Sequence, residues 1–208
     1  MHRNAILFLT AAALLAAACA SKQVQVPPRI DLARYGTLGM VAFSSNGSGE
    51  LSTLATRQFM AMVQAAQPGV PILELGERSR VLAALDHQEL DPEAIRALGE
   101  KYGVDAVLVG ELTTRSPKPS FSVNSLVESM RASADIEGVL SARLLQTRNG
   151  ATIWTNAARG KQSVAHVNLA HGSLPRIGAT DPDGAESRLV RSLVATLSAD
   201  FRPSWRDE

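Results

Sequence analysis

The sequence predicts an α/β fold. The expected architecture is a mixed sheet in two or three layers, with an N-terminal parallel βαβαα-β unit, then an antiparallel hairpin, then a closing amphipathic helix. Three observations predict it. The stretch Asp91–Leu112 reads as a capped helix, a glycine stop and a buried strand. The segment Leu38–Leu75 reads as strand, helix, strand. Arg148-Asn149-Gly150 sits between two alternating segments, and Asn-Gly tolerates the positive φ values a tight hairpin turn needs.

Taken in order, Met1–Cys19 opens with the polar and basic His2 and Arg3, then runs apolar from Ala5 to Ala18 apart from Thr10. That run is short for a bilayer span and fits the apolar core of a signal peptide. It ends in Leu15-Ala16-Ala17-Ala18 directly before Cys19, the one cysteine of the chain, so no internal disulfide is possible. Ser21–Arg34 reads as a tether, stiffened by Pro27-Pro28 and reaching about 45 Å at most.

Leu38–Phe43 reads as the first buried strand and Ser44–Glu50 as a turn-rich loop. Leu51–Ala66 is a helix with Leu51, Leu54, Ala55, Phe59, Met62, Val63 and Ala66 on one face. Pro68-Gly69 breaks it, and Val70–Leu75 is a second apolar strand. Glu77–Leu85 is a short helix turning Val81, Leu82 and Leu85 inward. In Asp91–Leu112, Asp91 caps the helix, Pro92 takes the first helical position and Glu93 meets its positive end. Ile95, Leu98 and Tyr102 share a face, and Gly103 ends the helix in the left-handed region. Asp105–Gly110 is a short apolar run rich in β-branched residues, as in a strand buried on both faces. Strands joined through helices in this way imply a parallel core.

Thr113–Ser133 holds two prolines and six serines without a sustained period, and reads as an exposed loop or loose edge. Asp135–Thr147 alternates, with Ile136, Leu140, Ala142 and Leu144 on one face. Ala151–Ala157 is its partner strand. A two-residue turn sets Arg148 opposite Ala151, which puts Ile153 on the Leu144 face and Trp154 on the other. Ser163–Pro182 reads as a polar connection. Glu186–Phe201 closes the chain as a helix with Leu189, Val190, Leu193, Leu197 and Phe201 inward, and Pro203 ends it. The expected organisation is a signal segment over 1–18, an anchored tether over 19–35, one domain over 36–202 and a tail over 203–208.

Composition narrows the function. Aromatic residues make up only 4% of the chain, so the core should be aliphatic. Removal of the signal segment takes Arg3 with it and leaves 20 basic residues against 20 acidic. A neutral domain argues against a nucleic-acid partner, which calls for clustered cations.

The candidate sites are few. Gly47-Ser48-Gly49-Glu50-Leu51-Ser52 follows a strand and opens a helix, with Glu74 at the end of the next strand, where a ribose acid would lie. The pattern is G-x-G-x-x-S, without the third glycine or a P-loop lysine, so it reads as a loop whose Ser48 caps the helix. His166 and His171 stand five apart, with Asp181 and Asp183 downstream. That is not the i, i+4 spacing of helical metal ligands, and no metal or cofactor is assigned. The sequence carries no G-x-S-x-G elbow, so no catalytic residue is assigned either. Trp154 and Arg143 share the second face of the hairpin, where the indole either covers the sheet or joins the cation in a partner-binding patch. Phe121, Val123, Leu126 and Val127 in the serine-rich stretch are the other candidate contacts. That stretch either covers its own domain or pairs with a partner strand.

Leu15–Cys19 resembles the lipobox of bacterial lipoproteins, with Ala16 in the slot that most often holds leucine. The resemblance implies that the Cys19 thiol is diacylated and its freed amino group acylated after cleavage. Several acyl chains anchor firmly, at about 0.8 kcal/mol per buried CH₂. Ala20, not aspartate, follows Cys19, which by the same resemblance implies the outer membrane, facing the periplasm.

Across Leu38–Phe201, Tyr102–Gly110 (YGVDAVLVG) and Leu144–Trp154 (LLQTRNGATIW) resemble the CsgG/LpoB-like periplasmic lipoproteins. These have an anticodon-binding-domain-like α/β fold, as in the TolB amino-terminal domain. What this implies is a non-enzymatic accessory that works by protein–protein contact: activation of a peptidoglycan synthase in one branch, assembly of a secretion channel in the other. The chain lacks the long spacer of the first branch and two clear membrane hairpins of the second. A second copy of the chain is an admissible partner. A periplasmic envelope enzyme, a hydrolase, is the alternative.

Overall fold

The computed structural model describes residues 23–124, 129–169, 176–179 and 182–207, with backbone alone at 116–124, 129–134, 165–169, 176–179, 182–183 and 207. The elements run β1 (Gln23–Val26), a 3-10 turn (Leu32–Tyr35), β2 (Leu38–Ala42), β3 (Ser44–Ser45), α1 (Gly49–Ala66), β4 (Ile72–Glu77), α2 (Arg78–Leu85), α3 (Pro92–Tyr102) and β5 (Ala106–Asn124). They continue with β6 (Ser129–Gln146), β7 (Thr152–Leu169), β8 (Arg176–Ala179), α4 (Pro182–Leu197), a 3-10 turn (Ser198–Phe201) and β9 (Ser204–Asp207). The main sheet has the order β4-β2-β5-β6-β7-β8. β2 runs parallel to β4 and β5, and the pairs from β5 to β8 are antiparallel. This is the mixed α/β sheet the sequence predicts.

Local chemistry explains α3. The Asp91 carboxylate accepts from the Ala94 N–H at 2.7 Å, Pro92 opens the helix, and Gly103 closes it at φ +66°. Asp91 thereby satisfies a backbone donor that the first helical turn leaves open. Ile95 and Leu98 point into the sheet.

Two clusters sandwich the parallel end. On the first face, α1 and α4 bury Phe59, Val63, Leu189 and Leu193 against Met40, Leu108, Leu140 and Leu144. On the second, α2 and α3 bury Val81, Ile95 and Leu98 against Val41, Val107, Val109 and Leu145. The first core is mainly aliphatic, as composition predicts, yet an aromatic row crosses it. Phe43, Phe59, Phe201 and Trp154 stack in turn with centroids 5.3, 5.8 and 4.8 Å apart. Such pairs contribute about 0.5–1.5 kcal/mol beyond their burial. The Phe43 ring lies directly on Gly110, where a Cβ would stand 2.6 Å from it.

Four expectations need correction. Of Thr113–Ser133, read as an exposed loop or loose edge, the described residues are strand and not loop: β5 and β6 pair from Ala106↔Gln146 to Asn124↔Ser129, with a register shift between Arg115 and Lys118, and past Leu112 the described part of β5 pairs with β6 alone. The described residues of Ser163–Pro182 are not a plain connection, because β7 continues to Leu169 and β8 (Arg176–Ala179) pairs with it. In both stretches pairing to a neighbour strand supplies an order that the polar or serine-rich sequence does not advertise.

The third concerns the segment read as a tether, and with it the residues read as a tail. Gln23–Val26 pairs antiparallel with Ser204–Asp207, and Leu32 is fully buried. Gln67 holds this segment in place. Its side-chain oxygen accepts from the Leu32 N–H at 2.7 Å, and its amide donates to the carbonyls of Ile30 and Phe201 at 2.6 and 2.9 Å.

The fourth is the turn. Thr147–Gly150 is a four-residue loop. The Gln146 N–H donates to Ala151 O and the Gly150 N–H to Gln146 O. Thr147 is drawn out of the hairpin toward the start of β5, its hydroxyl 2.8 Å from the carbonyl oxygens of Val104 and Asp105. The register shifts at Leu144/Leu145, so Leu144 faces Trp154 and Leu145 faces Thr152. A one-residue slip moves a side chain to the other face of a sheet.

A candidate partner-binding face

That slip decides the fate of the predicted Trp154–Arg143 patch. Trp154 lies on the first face, 5% exposed, edge-on to Phe201. Its indole N–H donates to the Asp200 carboxylate at 2.8 Å. The Asn156 amide donates to the same oxygen at 3.2 Å, and the Arg29 guanidinium stands 3.6 Å away. The indole therefore has a complete set of contacts within its own domain and is closed to a partner.

Arg143 is exposed on the opposite face, in register with Val109 of β5 and Thr155 of β7. From Val109 outward, this face changes character. α2 and α3 cover Val107, Val109 and Leu145 and reach no further. Beyond them the same face carries Glu111, Ser141 and Ala157, then Thr113, Val139 and Arg159, then Arg115, Glu137 and Lys161. Glu111, Arg115, Glu137, Arg143, Ala157, Arg159 and Lys161 are all exposed. Glu137 stands between Arg115 and Lys161 across three strands, an opposite-charge ladder of the kind that steadies a sheet. The result is a mixed-charge surface over β5, β6 and β7 with no helix on it among the described residues.

The opposite side of these strands is closed. Leu189 and Leu193 of α4 press onto Gly138 and Gly160, where added Cβ atoms would meet them at 3.0 and 3.3 Å. The glycine pair lets the helix approach the long hairpin.

The other sequence candidates fall apart in space. Phe121 and Val123 are strand residues paired with Ala132 and Met130, and their side chains lie outside the described ones. Leu126, Val127, His171 and Asp181 lie outside the described residues, as do the side chains of His166 and Asp183. Cys19 also lies outside them. The Gly47–Ser52 loop is pinned to β5. The Asn46 side chain accepts from the Thr114 N–H at 2.8 Å and donates to the Thr114 carbonyl at 2.9 Å. Ser48 stands at the start of α1 without a side-chain cap bond, contrary to the expected cap; within the first turn the Ser52 and Thr53 hydroxyls donate to Gly49 O at 2.9 Å. Glu74 is exposed on the edge strand β4. Among the described residues no three His, Cys, Asp or Glu side chains gather to hold a metal ion. No described helix is long and apolar enough to cross a membrane.

Sequence reasoning missed one feature. Trp205, assigned to a tail, is the most exposed large apolar residue described, at 63%, on a strand that pairs with Gln23–Val26. Trp-Arg in a terminal stretch after proline gives no periodic signal, and the pairing is visible only in three dimensions.

No family model matches the chain, and no curated protein matches it. Among solved structures it is similar to a PelC dodecamer from Paraburkholderia phytofirmans, at 13% identity and TM-score 0.44, covering 87% of this chain and 98% of that one. It is similar to lipoprotein GNA1162 from Neisseria meningitidis, at 16% identity and TM-score 0.37, covering 78% and 98%. It is also similar to the LpoB C-terminal domain from Escherichia coli, at 12% identity and TM-score 0.37, covering 61% and 82%.

Proposed function

We propose that this chain is an outer-membrane lipoprotein facing the periplasm, anchored through Cys19. It acts without chemistry of its own, as an accessory in envelope assembly or secretion, and its working surface is the bare mixed-charge face of β5–β7. The supporting observation is the change along that face, where apolar residues under α2 and α3 give way to Glu111, Arg143, Arg159 and Lys161 in the open. Rim charges of this kind steer and orient a partner more than they hold it, which suits a regulatory contact.

The test is crosslinking in the intact envelope followed by mass spectrometry. A photo-reactive residue at Arg143 should capture a peptidoglycan synthase or a secretion component, and Arg143→Glu with Arg159→Glu should abolish capture by a neighbouring probe at Thr155. If capture survives the double reversal, the face is not the contact. For the anchor, Cys19→Ser should release the protein from membranes; a variant that stays bound refutes it.

A further inference from the structure

β1 and β9 form a two-stranded ribbon apart from the main sheet, with Gln25 opposite Trp205 and Val24 opposite Arg206. Tryptophan is among the most buried residue types on average, so an indole 63% exposed calls for a reason. Chain geometry supplies one. β1 begins four residues after Cys19, and four Cα steps span about 14 Å at most. Because Gln67 and the Ile30–Asp200 backbone bond clamp the residues after β1 to the domain, this ribbon cannot swing away on a long spacer.

We propose that the ribbon lies on the lipid surface, with the Trp205 indole at headgroup depth. This rests on the lipid anchor at Cys19. An indole has an apolar body and one N–H, the combination that settles at a membrane–water boundary. Arg29, exposed beside the ribbon, shares a groove with Pro203 and with Gln25, the register partner of Trp205, and is open to lipid phosphates there. Arg206 follows Trp205 on β9, so its exposed side chain lies on the other face of the ribbon. A protein partner is the weaker occupant. A specific interface buries about 1,200 Å² or more, whereas the exposed large apolar residues of the ribbon are only Trp205 and Val24. The bilayer contact also fixes orientation, since a lipid alone would let the domain tumble about Cys19.

The experiment uses the full lipidated chain in phosphatidylethanolamine–phosphatidylglycerol vesicles carrying phospholipid brominated near the headgroup end of its acyl chains. Trp154 and Trp205 are the two indoles of the protein, and Trp154 is enclosed by its own domain. Brominated lipid should quench part of the emission of the native chain and none of the emission of Trp205→Phe. Mass spectrometry of Cys19 runs alongside. An acylated, vesicle-bound chain with unquenched Trp205 overturns this inference while the anchor stands. Quenching of a chain without acyl groups upholds the contact and overturns the anchor.

Discussion

The two faces of the antiparallel strands share a backbone and differ in what covers them. Along β6, Ile136, Leu140, Ala142 and Leu144 are buried under α4 and the aromatic row, while Glu137, Ser141 and Arg143 alternate with them on the open side. The difference lies in helix reach rather than strand composition alone. Where α2 and α3 overlie the sheet, the second face is Val107, Val109 and Leu145, and the domain has three layers. Past them it has two. The first face carries a continuous core, whereas the second is packed only under α2 and α3 and is left without a helix past them among the described residues.

Substitutions can break that comparison, taken from the largest expected effect to the smallest, with Gly49→Ala as the control for Gly110→Ala. Phe201→Ala, in the fully buried aromatic row, should cost about 3–5 kcal/mol in chemical denaturation. Gly110→Ala should cost about 1–3 kcal/mol, because its Cβ would stand 2.6 Å from the Phe43 ring in a packed core. Gly49→Ala, with nothing near its Cβ, should not destabilise in the same assay. Gln67→Ala leaves Leu32 N–H and two carbonyls without their partner and should cost about 1–3 kcal/mol. Amide exchange should then accelerate across residues 23–35 before the main sheet responds. Arg143→Ala should fall within about 0.5 kcal/mol of the parent. A large loss there would mean that the open face supports the fold after all.

The sequence made legible what local chemistry encodes. Asp91, Pro92 and Gly103 delimit α3 by capping and φ preference, and the alternation of Ile136, Leu140, Ala142 and Leu144 marks the buried face of β6. It concealed what distant partners decide. Thr147 widens the hairpin turn because its hydroxyl meets carbonyls at Val104 and Asp105, more than 40 residues away, and that one shift carries Trp154 from the open face into the core. The outer half of β5 holds prolines and serines, and its strand character comes from pairing with β6. Gln67 docks the N-terminal segment through bonds that span 35 to 134 positions of sequence. Of the candidate contacts, Arg143 keeps its open position, whereas Trp154 loses its own to a register slip that no two-residue turn rule anticipates.

The separation of the two faces is tested most directly by a photo-crosslinker placed at each residue from Val139 to Leu144 in the living envelope. Partner capture should come from Val139, Ser141 and Arg143 and fail at Leu140, Ala142 and Leu144, a period of two that follows the strand. Capture without that alternation, or capture only from the even positions, would contradict the assignment of contact to the open face.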